Sequence, residues 1–165
     1  DRGLPIELQT RHILATEEID DILIGNAYAS EEELKAMSEV DMTKTNITVK
    51  VVEGLCEAEI KVLKEYHHAG RTDASEFLIR SSMPRLDCKN ASIPHRDCGQ
   101  DLFHRGDVVV VNDNLGHYRG EVEVILKDIP NDGERNLVGR IPKEEMMILD
   151  LMETNPDHFW DFLIR

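Results

Sequence analysis

Cysteines and long apolar runs are scarce in this chain, and each of these scarcities excludes a class of protein. The three cysteines, Cys56, Cys88 and Cys98, are too few and odd in number for a disulfide framework, which favours a reducing compartment. No apolar run approaches the ~20 residues that a membrane span needs, and no secretory h-region is found. We therefore expect an intracellular, cytoplasmic protein with no membrane partner.

Positive charge is also in short supply. Thirty-three acidic residues against nineteen lysines and arginines give a formal net charge of −14 over 165 residues. Such a chain lacks the cationic footprint that phosphate backbones require, so direct nucleic-acid binding is not expected. An acidic surface attracts basic partners, and it also serves simply to keep a protein in solution; the composition leaves both interpretations open.

Hydrophobic periodicity predicts an α+β fold with an acidic helical segment at residues 1–46. Thr16 precedes a first helical pattern, and Ser30 with Glu33 has the spacing of a capping box at the start of a second helix. These two short helices are expected to form a hairpin that packs on the rest of the chain or on a partner.

The remaining residues, 47–165, alternate between strand and helix patterns. We predict strands at 47–52, 108–111, 118–126, 137–141 and 158–164, and helices at 55–69 and 142–149. In the 118–126 strand, Val122 and Val124 are expected to face the core, and Glu121 and Glu123 to face water. Residues 81–105 have no period and are the longest irregular stretch.

One metal-like set of side chains lies in that irregular stretch. Cys88, His95, Cys98 and His104 have the spacing C-x6-H-x2-C-x5-H, and thiolates with imidazoles could hold a tetrahedral zinc that orders the loop. The spacing matches no common zinc pattern. The favoured interpretation is therefore that these are four unrelated side chains of the loop. A zinc-dependent module or a hydrolase that uses the 88–104 loop is the alternative function.

Motifs of nucleophilic or metal-dependent catalysis are missing. The sequence has no G-x-S-x-G elbow, no P-loop and no H-E-x-x-H. Adjacent carboxylates such as Glu144-Glu145 mean little in so acidic a chain. These observations favour a protein that is not an enzyme and has no cofactor.

Residues 106–149 resemble a Tudor domain, a small SH3-like β-barrel. Gly106-Asp107-Val108-Val109-Val110 is similar to its opening strand, and 113–120 is similar to its turn and second strand. The flanking strand and helix resemble those of an extended Tudor domain, in which the barrel is inserted into a staphylococcal-nuclease-like fold. The resemblance covers 47–165 and implies a barrel core at 106–149.

The resemblance implies peptide recognition, as in small-RNA and germ-granule assemblies. By position in that fold, Asn114, His117, Tyr118 and Trp160 are the expected peptide-binding residues. For the aromatic cluster that contains Trp160, packing of the terminal strand in the core is the favoured alternative interpretation. The segment at 131–136, where the family carries an aromatic cage for methylarginine, has no aromatic residue. The expected function is therefore a non-enzymatic interaction module, independent of methylation, that binds a partner protein or a basic or apolar peptide.

Overall fold

The fold is organised around one large twisted sheet that is flanked by helices. The computed structural model describes residues 3–25, 28–71, 73, 75–155 and 159–165. The helices are α1 (Ile6–Leu14), α2 (Glu31–Ser38), α3 (Glu57–Lys64) and α4 (Met146–Thr154). The strands are β1 (Thr45–Val51), β2 (His68–Ala69), β3 (Leu78–Ser81), β4 (Leu102–Phe103), β5 (Asp107–Val111), β6 (Val122–Ile125), β7 (Ile129–Pro130), β8 (Arg135–Arg140) and β9 (Phe159–Ile164).

Seven of these strands form a nearly closed, barrel-like sheet in the order β2-β9-β1-β8-β5-β6-β3. β1 runs parallel to β9, from the pair Thr45↔Trp160 to the pair Val49↔Ile164, and the other neighbours are antiparallel. β4 and β7 form a separate two-stranded ribbon. The predicted α+β class with a barrel is confirmed at this level. β5, β6 and β8, which come from 106–149, share their sheet with β1 and β9, which lie outside that range.

The run of four valines in β5 is buried on both faces, as its sequence predicts. Val108 and Val110 point into the main core, where Val122 and Val124 of β6 also lie. Val109 points to the other side, into a smaller cluster with Phe103, Ile125 and Leu137. The ribbon of β4 and β7 covers this second side, which is why the strand has no wet face.

β6 departs from the expected alternation of wet and dry faces. Val122 and Val124 are buried as predicted, but Glu121 and Glu123 are only 2% and 5% exposed. Arginines from neighbouring segments cover the outer face, and Arg135 Nε lies 2.5 Å from Glu123 Oε2. Burial raises the pKa of Glu123, and the hydrogen bond and charge of Arg135 oppose that rise. The prediction of a solvent-exposed face is wrong, because alternation in the sequence shows which residues share a face but not whether water or arginine side chains cover it.

The helix predicted after Thr16 is wrong, because residues 18–25 are not helical and the first helix of the chain is α1. α1 begins at Ile6, directly after Pro5, and the chain has already left the helix at Glu17, where φ is 57°. The second helix is confirmed with its cap: Glu33 N donates to Ser30 Oγ at 3.2 Å, and Ser30 N donates to Glu33 Oε2 at 2.8 Å.

A buried ion pair joins α1 to the sheet. Arg11 of α1 donates to both carboxylate oxygens of Glu145, at 2.7 and 2.8 Å, and to the carbonyl of Asn46 at 3.0 Å. Burial raises the pKa of Glu145, but the hydrogen bonds from Arg11 and Thr48 outweigh it and leave that pKa lowered. The expected boundary between 1–46 and 47–165 falls inside β1, and the division into two units stays a prediction.

The other predicted elements are found with shifted ends. The helix expected at 55–69 ends at Lys64, because the chain then turns into β2. The expected closing strand is β9, and His158 of that prediction lies outside the described residues. In the described part of the chain, no helix combines the length and the apolar character that crossing a membrane requires.

Candidate functional site

Trp160, one of the four expected peptide-binding residues, is part of the core. β9 lies between β2 and β1, so the indole is enclosed and only 1% exposed. Its ring stacks on His68 at 4.4 Å between centroids and meets Phe162 edge-on at 4.8 Å. Burial lowers the pKa of His68 to about 4, so this histidine is neutral at pH 7. A ligand cannot reach Trp160, and the expectation of a peptide contact there is wrong.

The other three expected residues lie together in the turn between β5 and β6. Asn114 is fixed by the backbone around it, because its side chain donates to the Gly133 carbonyl at 2.8 Å. His117 and Tyr118 are exposed, and their rings meet edge-on at 5.7 Å. The turn thus presents two aromatic rings to solvent and uses the asparagine to hold its shape.

This turn forms one wall of an open groove of about 280 Å³, which we call the cationic groove. The other wall comes from the two short 3-10 turns that follow β3, Met83–Leu86 and Cys88–Asn90. Among the described residues none of those that line it is acidic, although the chain as a whole carries a net charge of −14. The lining residues are Ser82, Met83, Arg85, Leu86, Lys89, Gly116, His117 and Arg119.

Two arginines of the cationic groove are held in place by contacts with neighbouring residues. The Arg85 guanidinium lies 4.6 Å from the centre of the Tyr118 ring, and its Nη1 donates to Glu121 at 3.3 Å. Arg119 Nη1 donates to the carbonyls of Lys89 and Ala91, at 3.3 and 3.2 Å. Such contacts restrict the rotamers of both side chains, so less side-chain conformational entropy is lost when a ligand binds.

A second layer of arginines lies behind Ser82. Arg71 Nη1 donates to the Ser82 hydroxyl at 3.2 Å, and Arg71 and Arg80 both pair with Asp73 at 2.7 Å. The hydrogen bond from Arg71, followed by that from Arg80, lowers the pKa of Asp73 to about 2. Because the Ser82 oxygen accepts from Arg71, its own proton remains available for a ligand.

Buried carboxylates are a separate feature of the molecule, and each is paired with an arginine. In the described part of the chain the buried acids are five, at positions 59, 107, 121, 123 and 145. Their partners are Arg96, Arg140, Arg85, Arg135 and Arg11, at distances between 2.5 and 3.3 Å. A buried carboxylate that is paired with an arginine is part of the packed fold, and its charge is already balanced by the protein.

The structure does not bring the four residues of the zinc hypothesis together. Cys88 is buried beside Gly120, His95 lies near Asn112, Cys98 near Asn131, and His104 pairs with Asp128 at 3.1 Å. Across the described residues, no group of three or more His, Cys, Asp or Glu side chains could hold a metal ion. The zinc part of the alternative function is therefore not supported.

Hydrogen bonds order the loop for which zinc was considered. Asn136 accepts from the backbone N–H of Arg96 at 2.9 Å and donates to the Pro94 carbonyl and to Glu59, both at 2.9 Å. Arg96 Nη1 also donates to Glu59, at 2.7 Å. Ile93, which is fully buried, anchors the same loop in the core. Sequence spacing does not reveal this network, because its members come from three distant segments.

Comparison with protein families gives two matches that together span most of the chain. Residues 45–159 match the model described as 6-phospho-N-acetylmuramidase, C-terminal, and residues 1–39 match the model described as 6-phospho-N-acetylmuramidase, N-terminal. A comparison with curated proteins finds no match.

Two solved structures are similar to the chain. An uncharacterized B. cereus protein is 37% identical with a TM-score of 0.89, over 98% of this chain and 46% of that one. A conserved Enterococcus faecalis protein of unknown function is 22% identical with a TM-score of 0.66, over 96% of this chain and 41% of that one. The chain thus spans less than half the length of either protein.

These matches correct the expectations that followed from the Tudor resemblance. The strand pattern of 106–149 is real, but the matched families and the similar structures are not Tudor domains. The expectation of a non-enzymatic peptide module is wrong, because both family models describe a muramidase. The germ-granule setting depended on the same resemblance and has no support. The hydrolase class, kept as the alternative, agrees better with the matches.

Proposed function

We propose that this chain, which belongs to the 6-phospho-N-acetylmuramidase family, is part of a glycoside hydrolase that cleaves the bond between a 6-phospho-N-acetylmuramyl residue and its leaving group. The observation that carries the proposal is the family match over residues 45–159. In the reaction, the glycosidic oxygen takes up a proton, and water adds to the anomeric carbon as the C–O bond breaks. The products are the free phosphorylated sugar and an alcohol.

Glycoside hydrolysis ordinarily requires two carboxyl groups that face the bond, about 5 to 10 Å apart, one of them protonated near neutral pH. Glu123 has the raised pKa of a general acid, but it is buried and Arg135 lies directly on it. The other buried carboxylates are paired with arginines in the same way. In our proposal none of these five acids reacts with substrate, and they hold the sheet together.

We assign the reacting carboxyl groups to the full-length enzyme as a whole. The solved relatives are more than twice as long as this chain, so more than half of each relative lies outside the matched region. The contribution of this chain is then to bind and position substrate, through basic side chains that line an open groove. The cationic groove, which Arg85, Lys89 and Arg119 line, is the surface that we assign to this role.

The test uses the protein at its natural full length and a glycoside of 6-phospho-N-acetylmuramic acid whose leaving group is chromogenic. We expect release of the leaving group, with kcat/KM at least about a hundredfold above that of the matching unphosphorylated glycoside, a discrimination available when a site is built around a charged group. Absence of hydrolysis with both glycosides would contradict the proposal. Equal rates would show a glycosidase that does not recognise the phosphate.

A further inference from the structure

We propose that the cationic groove binds a phosphomonoester, and that in the enzyme this is the 6-phosphate of the substrate. The second clause rests on the function proposed above, whereas the first rests on the groove alone. A phosphomonoester carries a charge near −2 at neutral pH and three strong acceptor oxygens. It therefore needs several converging N–H or O–H donors and no carboxylate among them.

Charge distribution distinguishes the cationic groove from the rest of the molecule. Acidic residues outnumber basic ones by fourteen in the chain, so the average surface repels a phosphate. The groove is lined by Arg85, Lys89 and Arg119 with no acidic lining residue. Arg85 pairs with Glu121 at 3.3 Å and Arg119 pairs with Asp113 at 2.5 Å, and neither of these two carboxylates is among the lining residues.

Three basic nitrogens of the groove have no protein acceptor. Within the described residues, Nη2 of Arg85, Nη2 of Arg119 and the ammonium of Lys89 donate no hydrogen bond to a protein acceptor. The contacts of the two arginines are made by their other nitrogens, which holds the guanidinium planes still and leaves one edge of each open. Two fixed guanidinium edges and a flexible ammonium are a suitable set for one phosphate.

The backbone at Gly116 keeps the groove open next to these donors. A Cβ at this position would lie 3.4 Å from Arg119 Nη2, so a larger side chain would cover that nitrogen. On the opposite wall, the Ser82 hydroxyl accepts from Arg71 and has its proton left to donate. The volume of about 280 Å³ accommodates a phosphate and part of a sugar ring.

Lys89 is the residue to change, because it is exposed and its ammonium has no hydrogen-bond or ion-pair partner among the described residues. Isothermal titration calorimetry would measure the affinity of the full-length protein for 6-phospho-N-acetylmuramic acid, N-acetylmuramic acid and inorganic phosphate. We expect Lys89→Ala to weaken binding of the phosphorylated sugar about tenfold, as loss of a charge-assisted hydrogen bond does, and Lys89→Glu to weaken it further. The control is Lys143→Ala, which removes another exposed lysine outside the groove and should leave the affinity unchanged.

Two outcomes would overturn this inference without touching the proposed function. One is hydrolysis of the phosphorylated glycoside by Lys89→Glu with an unaltered KM. The other is binding of the unphosphorylated sugar that is as tight as that of the phosphorylated one. Inorganic phosphate that binds as tightly as the sugar phosphate would overturn the assignment to substrate. A groove that binds the phosphorylated sugar in a protein that hydrolyses no glycoside would overturn the proposed function instead.

Discussion

Gly120 ends the turn that carries Arg119 into the cationic groove, and its backbone geometry suits glycine alone. Its φ is +83°, and a Cβ there would lie 2.5 Å from Cys88 Cβ and 2.9 Å from Cys88 Sγ. Cys88 is buried and lies in the short 3-10 turn that forms the other wall of the groove. One glycine therefore allows the two walls to approach each other.

Replacing Gly120 by alanine is expected to lower the free energy of unfolding by about 2 to 4 kcal/mol, because a left-handed backbone and a steric clash act together. Gly116→Ala in the same turn is the matched control. Its φ is −53°, and the new Cβ would meet neighbours at ordinary distances. We expect the control to change stability by less than about 1 kcal/mol in urea unfolding. An equal decrease in the free energy of unfolding for the two variants would show that the close approach of the two walls does not affect stability.

At the scale of elements, the loop at 91–98 shows how a segment without regular structure is fixed. Asn136 of β8 accepts from the backbone of the loop and donates to it, and it connects the loop to Glu59 of α3. Asn112 adds a further hydrogen bond, to the Asn136 oxygen at 2.9 Å. A polar network of this kind is strong when every member is satisfied, and it loses several contacts when one member is removed.

Asn136→Ala is expected to cost about 2 to 4 kcal/mol of stability, because it leaves buried donors and acceptors without partners. Asn114→Ala, which removes an exposed asparagine with one side-chain bond to the Gly133 carbonyl, should cost about 1 kcal/mol or less.

A chelator should leave the melting temperature of the unaltered protein unchanged. A large drop on chelation would restore the zinc hypothesis and contradict this account of the loop.

For the whole molecule, the sequence was sufficient for most local structure. The capping box at Ser30, the buried strand of four valines and the β-rich second half each follow from patterns within a few residues. Contacts between segments that are distant in the sequence cannot be predicted from such patterns. The parallel pairing of β1 with β9 joins residues more than a hundred positions apart, and the resemblance to a small barrel does not include it.

Sequence patterns do not predict the cationic groove, for a related physical reason. The Tudor resemblance implies His117 and Tyr118 as peptide-binding residues; both are exposed and His117 lines the groove, but their role in binding stays a prediction. Trp160 was misplaced because an aromatic strand looks the same in sequence whether it is central or peripheral. Arg85 and Lys89 were missed since their significance depends on Arg119, which lies thirty positions later and meets them only through the fold.

The central claim is that this chain supplies the phosphate-binding groove of an enzyme that acts on a phosphorylated muramyl sugar. Its most direct test is an amide NMR titration of the full-length protein with 6-phospho-N-acetylmuramic acid, with the unphosphorylated sugar as the reference. We predict that the shifts which depend on the phosphate concentrate at residues 82–89 and 116–119, on the two walls of the groove. Phosphate-dependent shifts that leave both walls unaffected would contradict the account.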